Sequence, residues 1–384
     1  MHLLITGKPS CGKTTLIKEL ARIIPKKRGF FTEEIRESQE RLGFKVVTFG
    51  GEKSVFAHKD FNTPFKVSKY KVDIEAFNKV AVKELKESIK DTSSIVIIDE
   101  LGKMELFSQE FKEIVKEVFE KKQVLGTISL FKDPFLEKIK IKDDVCILNL
   151  SRQNFGEVKK EAKLILESLP KEEIRLLERK AKELGLNERI LIENASSNMY
   201  RIIDNLNLGK KVLVIAGKGN NGADVLSCAR KLFSKDYEVK IVVLEEEKQN
   251  EEVIFQKEIL KKLNISIYSL KEENISLLGE FIKTSDFILE GILGIGMRGK
   301  LTDFLEKVID LINESKKVIT SCDIPSGLLA DEGIPSPVAV KATYTITFIA
   351  PKEGFFKKQG RQFCGEIFVA DIGIGKRVLK KIYK

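Results

Sequence analysis

The stretch Gly7-Lys8-Pro9-Ser10-Cys11-Gly12-Lys13-Thr14 has the spacing GxxxxGK[ST] and lies between an apolar run and a helical pattern. A glycine-rich loop leading into a helix offers backbone N–H groups and the positive end of the helix to phosphates. Lys13 then reaches the β- and γ-phosphates of a nucleoside triphosphate, and Thr14 ligates Mg2+. A second constellation is the apolar run "IVIIDE", which ends in Asp99 and Glu100. A strand-end aspartate can hold Mg2+ through water, the role assigned here to Asp99. Glu100 can orient or deprotonate the attacking water, or it can cap the next turn. Lys103, just beyond Gly102, can add positive charge where a phosphoryl transition state needs it. The chemistry implied is phosphoryl transfer from a nucleotide.

A different glycine pattern stands in the second half. Gly217, Gly219 and Gly222 in "AGKGNNGAD" have GxGxxG spacing, which suggests a dinucleotide site. Glu245, at the end of the next apolar run, sits where a cofactor-binding fold keeps an acid for the ribose. Against a cofactor role, Asp224 would repel a pyrophosphate at the helix start, and Asn220 and Asn221 offer carbonyl oxygens suited to a cation. The spacing alone is weak.

Composition narrows the chemistry further. Only two histidines, His2 and His58, occur in 384 residues, so acid–base work should fall to Asp, Glu, Lys and backbone dipoles. Cys11, Cys146, Cys228, Cys322 and Cys364 stand singly with no CxxC pair, which argues for a reducing compartment without zinc or a disulfide framework. The formal net charge of +10 suits anionic partners, but the lysines are spread over helix faces and no basic block interleaves with aromatics. Nucleotides are therefore expected as partners and nucleic acid is not. No apolar run is long enough to span a membrane, and the opening Met1–Ile5 is too short for a secretion signal, so the expected location is cytoplasmic.

These groups must be positioned by alternating strands and helices. In the first half, strands are expected at Leu3–Thr6, Ile95–Glu100, Val124–Leu130 and Cys146–Leu150, with a hairpin-like region over Arg28–Thr32 and Gly43–Phe49. Helices are expected at Lys13–Ile24, Gln109–Lys121 and Glu157–Leu169. Pro170 breaks the last of these, and the boundary is placed there: residues 1–169 and 170–384. The second half opens with helical patterns at Glu172–Leu184 and Asn187–Asn205. Strands are then expected at Lys211–Ala216, Val239–Leu244, Asp286–Glu290, Val318–Asp323, Tyr344–Ile349 and Glu366–Asp371. Apolar strands alternating with helices predict an α/β protein of two domains, each with a parallel, doubly wound sheet.

Beyond the loop itself, "GFFTEEIRE", "IIDELGKMELFS" and "LSRQN" resemble the nucleoside-triphosphatase family first described in thermophilic archaea and bacteria, over about residues 1–168. The resemblance implies a fold like that of the nucleoside monophosphate kinases and slow hydrolysis of ATP, GTP and other triphosphates. It also implies that Gly7 to Thr14, and the stretch from Glu100, Leu101, Gly102 and Lys103 to Leu106, lie near the nucleotide. Cys11 stands inside the loop, and a thiolate there would make the loop sensitive to oxidation. A kinase is the alternative, with Glu33, Glu34 and Arg36 lining an acceptor pocket.

"LIENAS", "AGKGNNGAD", "LEGILGIGMRGKL", "CDIPSGLLADEG", "TYTITFIAPKEG" and "GEIFVADIGI" occur in that order and resemble the YjeF N-terminal family, the NAD(P)HX epimerases, over about residues 172–376. The resemblance implies a Rossmann-like domain whose dinucleotide is substrate: NADHX and NADPHX, nicotinamide rings hydrated at C6, exchanged between R and S epimers for a separate dehydratase. Asn220, Asn221, Gly222, Ala223 and Asp224 match the first substrate loop, and Gly294, Ile295, Gly296, Met297, Arg298 and Gly299 the second. Asp323 matches the acid–base residue, and Asn221, Glu290 and Ser326 match ligands of K+, all oxygen donors. Lys352 is expected to stabilise developing negative charge, and a homodimer is expected by likeness. Ala223, Val225, Glu290, Ile295 and Thr343 depart from the family pattern. A methyl at Ala223 is expected to crowd the substrate loop, and a dinucleotide-binding module that regulates the first half is the alternative.

Overall fold

Alternate residues of the run Lys211–Ala216 face opposite sides of a sheet, and both sides are apolar. Val212, Val214 and Ala216 enter one core, while Leu213 and Ile215 enter another. A strand of that kind belongs inside a parallel sheet covered by helices on both faces. The computed structural model describes residues 1–38, 40–91, 94–245, 248–297 and 299–374, and it divides the chain into two compact units, Met1–Leu166 and Glu167–Lys384.

The strands of the first unit are β1 (His2–Thr6), β2 (Lys27–Glu37), β3 (Glu40–Thr48), β4 (Lys53–His58), β5 (Lys66–Val67), β6 (Tyr70–Val72), β7 (Ile95–Leu101), β8 (Val124–Ile128) and β9 (Val145–Asn149). They form one sheet in the order β5-β6-β4-β3-β2-β7-β8-β1-β9. From β2 to β9 the pairing is parallel. From β2 outward through β3, β4, β6 and β5 it is antiparallel, so this sheet is mixed instead of wholly parallel. The reason is local: only two residues separate β2 from β3, enough for a hairpin and far too few for a crossover helix. The helix Lys13–Ile23 follows the glycine-rich loop and buries Leu16, Ile17, Leu20 and Ala21. The strand order also bears on the site. The strand carrying Asp99 does not neighbour β1, because β8 lies between β7 and β1.

The second unit has β10 (Lys211–Ala216), β11 (Glu238–Leu244), β12 (Ile267–Leu270), β13 (Phe287–Gly291), β14 (Val318–Cys322), β15 (Tyr344–Phe348) and β16 (Glu366–Ala370), in the order β12-β11-β10-β13-β14-β15-β16. Every pair is parallel. β12 escapes the sequence pattern because it is a four-residue edge strand with an exposed Tyr268. The chain winds outward through β11 and β12, then returns to the other side of β10 and winds to β16. The order reverses between β10 and β13, and ligands of such sheets bind in the crevice at that switch point. The helices Lys171–Glu183 and Glu188–Leu206 precede the sheet, the second capped by Asn187, whose side chain accepts from the Ile190 N–H at 3.0 Å. Among the described residues no helix is long and apolar enough to cross a membrane.

Candidate active sites

In the first unit, the loop from Gly7 to Gly12 joins β1 to the helix that begins at Lys13. Lys13 Nζ donates to the Gly7 carbonyl at 3.2 Å, which folds its ammonium over the loop. Asp99 is fully buried. Its Oδ1 accepts from the Thr127 hydroxyl of β8 at 2.5 Å, and the Thr14 hydroxyl lies close to its carboxyl. β8 thus bridges the gap between the two motif strands. Burial raises the Asp99 acid, opposed by those hydroxyls and by the Lys13 charge. Asp99 Oδ2 is buried with no hydrogen-bond partner, an orphaned oxygen beside Thr14. Hard oxygen donors of that kind fit Mg2+.

The β7–β8 register shifts between Ile98 and Leu101, where Asp99 and Glu100 stand. Burial raises the Glu100 acid, with Lys13 opposing and Asp99 adding to the rise. Gly102 leaves room for two carboxyls: a side chain there would meet Glu105 Oε2 at 2.9 Å and Glu100 Oε1 at 3.2 Å. Glu105 is buried and pushed up to about 8, first by burial and then by the Glu100 charge. Two nearby residues were not singled out from sequence. One is Glu105 itself, and the other is Arg152, whose guanidinium donates to the Ser10 carbonyl at 3.4 Å. The "LSRQN" motif carried the signal for Arg152.

Other expectations are not met in place. Lys103 lies over the Phe131 ring at 4.1 Å, so its ammonium is engaged by an aromatic face instead of by the loop. Leu101 is buried in the core and pairs with Ile128. Cys11 is 8% exposed, which shields its sulfur from the oxidants the sequence suggested. Glu33 pairs with Lys18 and Lys45 at 2.8 and 3.0 Å, and Glu34 with Arg36 and Arg41 at 2.5 Å each. These groups form a salt-bridged strand face, not an open acceptor pocket.

In the second unit, β10 runs into Gly217, and the helix Asn220–Phe233 starts three residues later. Two of the three motif glycines permit close backbone contact. A Cβ on Gly217 would lie 1.9 Å from the Ile292 carbonyl, and one on Gly222 would lie 2.0 Å from that of Gly217. Gly219 faces open space. The turn opens onto a cavity of about 780 Å3 at the switch point. Gly219, Asn220, Asn221 and Asp224 line it from one loop, and Gly294, Ile295, Gly296 and Met297 from the other. Gly222 lies inside the turn, and Gly299 is not part of the wall. Arg298 lies outside the described residues. Ala223 and Val225 point away, into the core beneath the sheet, so the methyl at 223 does not crowd the substrate loop. Thr343 is exposed, and its hydroxyl accepts from the Ile319 N–H at 3.2 Å, away from the cavity wall.

Asp323, at the end of β14, holds a left-handed backbone with φ of 64°. Its hydrogen bonds all go to Oδ1: from Lys352 Nζ, from the Phe348 N–H at 3.0 Å and from the Thr347 hydroxyl at 3.3 Å. Among the described residues Oδ2 has no hydrogen-bond partner, and the residue lines the cavity. Lys352 is 0% exposed and also donates to the Thr347 hydroxyl at 2.7 Å. It therefore holds Asp323 from behind and does not reach the cavity, which corrects the role expected for it. Glu290 is 0% exposed. One of its oxygens accepts from the Ser321 hydroxyl and the Ser326 N–H, and the other from the Ile292 N–H at 3.2 Å and the Ser326 hydroxyl at 2.5 Å. Asn221 donates to the carbonyls of Leu293 and Cys322 at 3.1 and 2.8 Å, which turns its Oδ1 toward Gly294. Glu290, Ser326 and Asn221 thus meet around Leu293. The carboxyl is hydrogen-bonded, but among the described residues no cation pairs with it, and burial raises its acid. Oxygen donors around an uncompensated buried carboxyl fit a hard monovalent cation.

Sequence reading missed the helix Lys171–Glu183 as part of the site. Arg175, Glu178 and Lys182 line the cavity, and Lys218 and Lys300 join them from the loops. The cations suit a pyrophosphate. The helix carries no motif; its charges read as an ordinary solvated face.

Residues 2–163 match the family described as NTPase, and residues 188–354 the family described as YjeF-related protein N-terminus. The chain is 43% identical over 155 residues to a nucleoside-triphosphatase of Thermotoga maritima, covering 40% of this chain and 88% of that protein. It is 32% identical over 224 residues to an NAD(P)H-hydrate epimerase of Elusimicrobium minutum, covering 56% of this chain and 100% of that protein. A bifunctional NAD(P)H-hydrate repair enzyme of Thermofilum pendens is 34% identical over 211 residues, which cover 54% of this chain and 40% of that protein.

Proposed function

The chain belongs through residues 2–163 to the NTPase family and through residues 188–354 to the YjeF-related N-terminus family, and from that premise we propose a bifunctional enzyme. Its first unit hydrolyses nucleoside triphosphates with Mg2+, and its second epimerises NADHX and NADPHX.

The hydrolase reading is supported by the orphaned Asp99 oxygen beside Thr14 at the foot of the phosphate loop. Thr14 and Asp99 would hold Mg2+, which supplies neutralising charge on the phosphates. The loop N–H groups and Lys13 bind the β- and γ-phosphates. Glu100, raised by burial toward the working range of a base, orients the attacking water and takes its proton. Arg152, tethered to Ser10, is placed to add charge at the transferring phosphoryl group.

The epimerase reading is carried by one observation: a dinucleotide-sized cavity at the sheet's switch point with Asp323 in its wall, one carboxylate oxygen pinned by Lys352 and the other without a protein partner. A free oxygen on a fixed carboxylate suits proton transfer at the C6 hydroxyl of a hydrated nicotinamide. Asn221, Glu290 and Ser326 would hold K+, whose charge offsets Glu290 and stiffens the wall around Leu293. The substrate's pyrophosphate is matched by Arg175, Lys218 and Lys300. A dehydratase that consumes the S epimer would be a separate chain. Among the described residues Cys11, Cys146, Cys228, Cys322 and Cys364 form no disulfide, which supports a reducing, cytoplasmic setting.

The test mixes the protein with pure (R)-NADHX in potassium buffer and follows the S epimer by chromatography against an Asp323→Ala control. Formation of S that is lost in the control supports the reading. Conversion at the spontaneous rate rejects it.

A further inference from the structure

The cavity holds a second carboxyl that the reading above leaves without work. Asp224 sits in the first turn of the helix Asn220–Phe233, is 6% exposed and lines the cavity. Among the described residues it makes no hydrogen bond and no ion pair. Buried polar groups are nearly always paired, so an unpaired one in the wall of a site calls for a reason. Its surroundings are acidic. Asp323 faces it from the end of β14, Glu178 from the helix Lys171–Glu183 and Glu188 from the helix Glu188–Leu206. Lys231, on its own helix, opposes them, and that lysine is held by Glu193. The thiols of Cys228 and Cys322 are buried close by. Burial, then the charges on Asp323, Glu178 and Glu188, push the Asp224 acid well up. Asp323 differs in kind, because Lys352 stands directly behind it. The cavity is thus lined by two carboxyls in different surroundings, Asp323 bonded to a buried lysine and Asp224 without a hydrogen-bond partner among the described residues.

We infer that Asp224 is a catalytic residue of the epimerase, the neutral acid that works opposite the Asp323 carboxylate across the C6 carbon of the hydrated ring. The inference rests on the epimerase reading. The step balances without oxidant or reductant. Asp224 gives its proton to the C6 hydroxyl, and the C6–O bond breaks with its electron pair leaving as water. The ring N1 lone pair forms an N1=C6 double bond. A water on the opposite face adds to C6, its proton passes to Asp323, and the N1=C6 pair returns to nitrogen. The product has the inverted configuration, and the proton returns from Asp323 to Asp224 through solvent. Swapping the two roles runs the reaction in the other direction.

The experiment compares the intact protein with its Asp224→Asn and Asp224→Glu forms, each checked by thermal melting. Readouts are (R)-NADHX epimerisation, its pH profile, 18O uptake at C6 from labelled water, and NADPH binding by calorimetry. We expect Asp224→Asn to bind NADPH within about threefold of the parent and to lose at least about a hundredfold in kcat, as for a general acid. Asp224→Glu should recover part of that loss. The parent should take up solvent oxygen on turnover and lose activity at high pH as Asp224 ionises; the residual activity of Asp224→Asn should lack that alkaline limb. Three results would overturn the inference: full activity in Asp224→Asn, a loss explained by weaker NADPH binding, or turnover without oxygen exchange. In each of these the parent still epimerises and the broader reading stands. A parent that does not epimerise removes both.

Discussion

Lys352 makes sense only with Asp323. A lysine with no exposure is costly unless a carboxylate meets it, and each of this pair is the other's compensation. Replacing Lys352 with Met should destabilise the second unit by about 3 kcal/mol, the lower end for a broken buried pair, because water reaches Asp323 from the cavity. Calorimetry would show this as a lower second transition, and an unshifted transition would remove the pair from the stability argument. The phosphate loop allows a parallel expectation. Lys13→Ala should lower the rate of triphosphate hydrolysis by at least about a hundredfold, the usual cost of losing a donor aimed at transition-state charge, read as phosphate release. The potassium set is testable by exchange: replacing K+ with tetramethylammonium should slow epimerisation and lower the second transition together, because Glu290 then lacks a counter-charge. Equal rates in the two buffers would reject a cation at that place.

At the scale of elements, the glycine-rich turn after β10 separates shape from motif. Gly222→Ala would drive a methyl into the Gly217 carbonyl, 2.0 Å away, so the turn must open and epimerisation should fall to background. Gly219→Ala meets nothing within 4 Å and should melt like the parent. The GxGxxG spacing does not distinguish the two. The helix Glu188–Leu206 docks on its neighbour through Glu193, which receives Arg230 at 2.5 Å and Lys231 at 2.6 Å. Burial would raise that carboxyl, but the hydrogen bonds from Lys231 and Arg230 prevail and hold it at about 2. A depressed acid stabilises the fold above its unfolded value near 4.5, and the benefit fades as pH falls toward 2. The melting difference between parent and Glu193→Gln should therefore be constant above pH 4.5 and shrink below it. The strands bearing chemistry were legible in the sequence because each is a short apolar run ending in a charged or glycine residue, as in "IVIIDE" and "VLVIAG". β12 and the small strands β5 and β6 were not, being too short to carry a period. The motifs named which residues gather at each site but not where each side chain points. The helical turn sends Ala223 to the core and Asp224 to the cavity, although they are adjacent in the chain. Lys352 and Asp323 lie on different loops, and only the parallel pairing of β14 with β15 brings them together.

Among the described residues the molecule carries two sheets, one apolar core in the first unit, two in the second, and a candidate site in each unit. The two activities should therefore fail separately. Lys13→Ala should leave epimerisation at the parent rate, and Asp323→Asn should leave hydrolysis untouched. A dinucleotide that changes the hydrolysis rate without being epimerised would favour a regulatory second unit instead.

The order in which the chain supplies its charges has a consequence for its birth on the ribosome. The first unit has received its last strand by Asn149 and can fold while the rest is still being translated. The second has no such early stopping point. Asp323 emerges well before Lys352, and β16 comes later still. Until Lys352 arrives, the Asp323 carboxylate lacks its buried counter-charge, so the unfinished half gains less by closing around it. The second unit is therefore expected to close late, after Lys352 and β16 have been made.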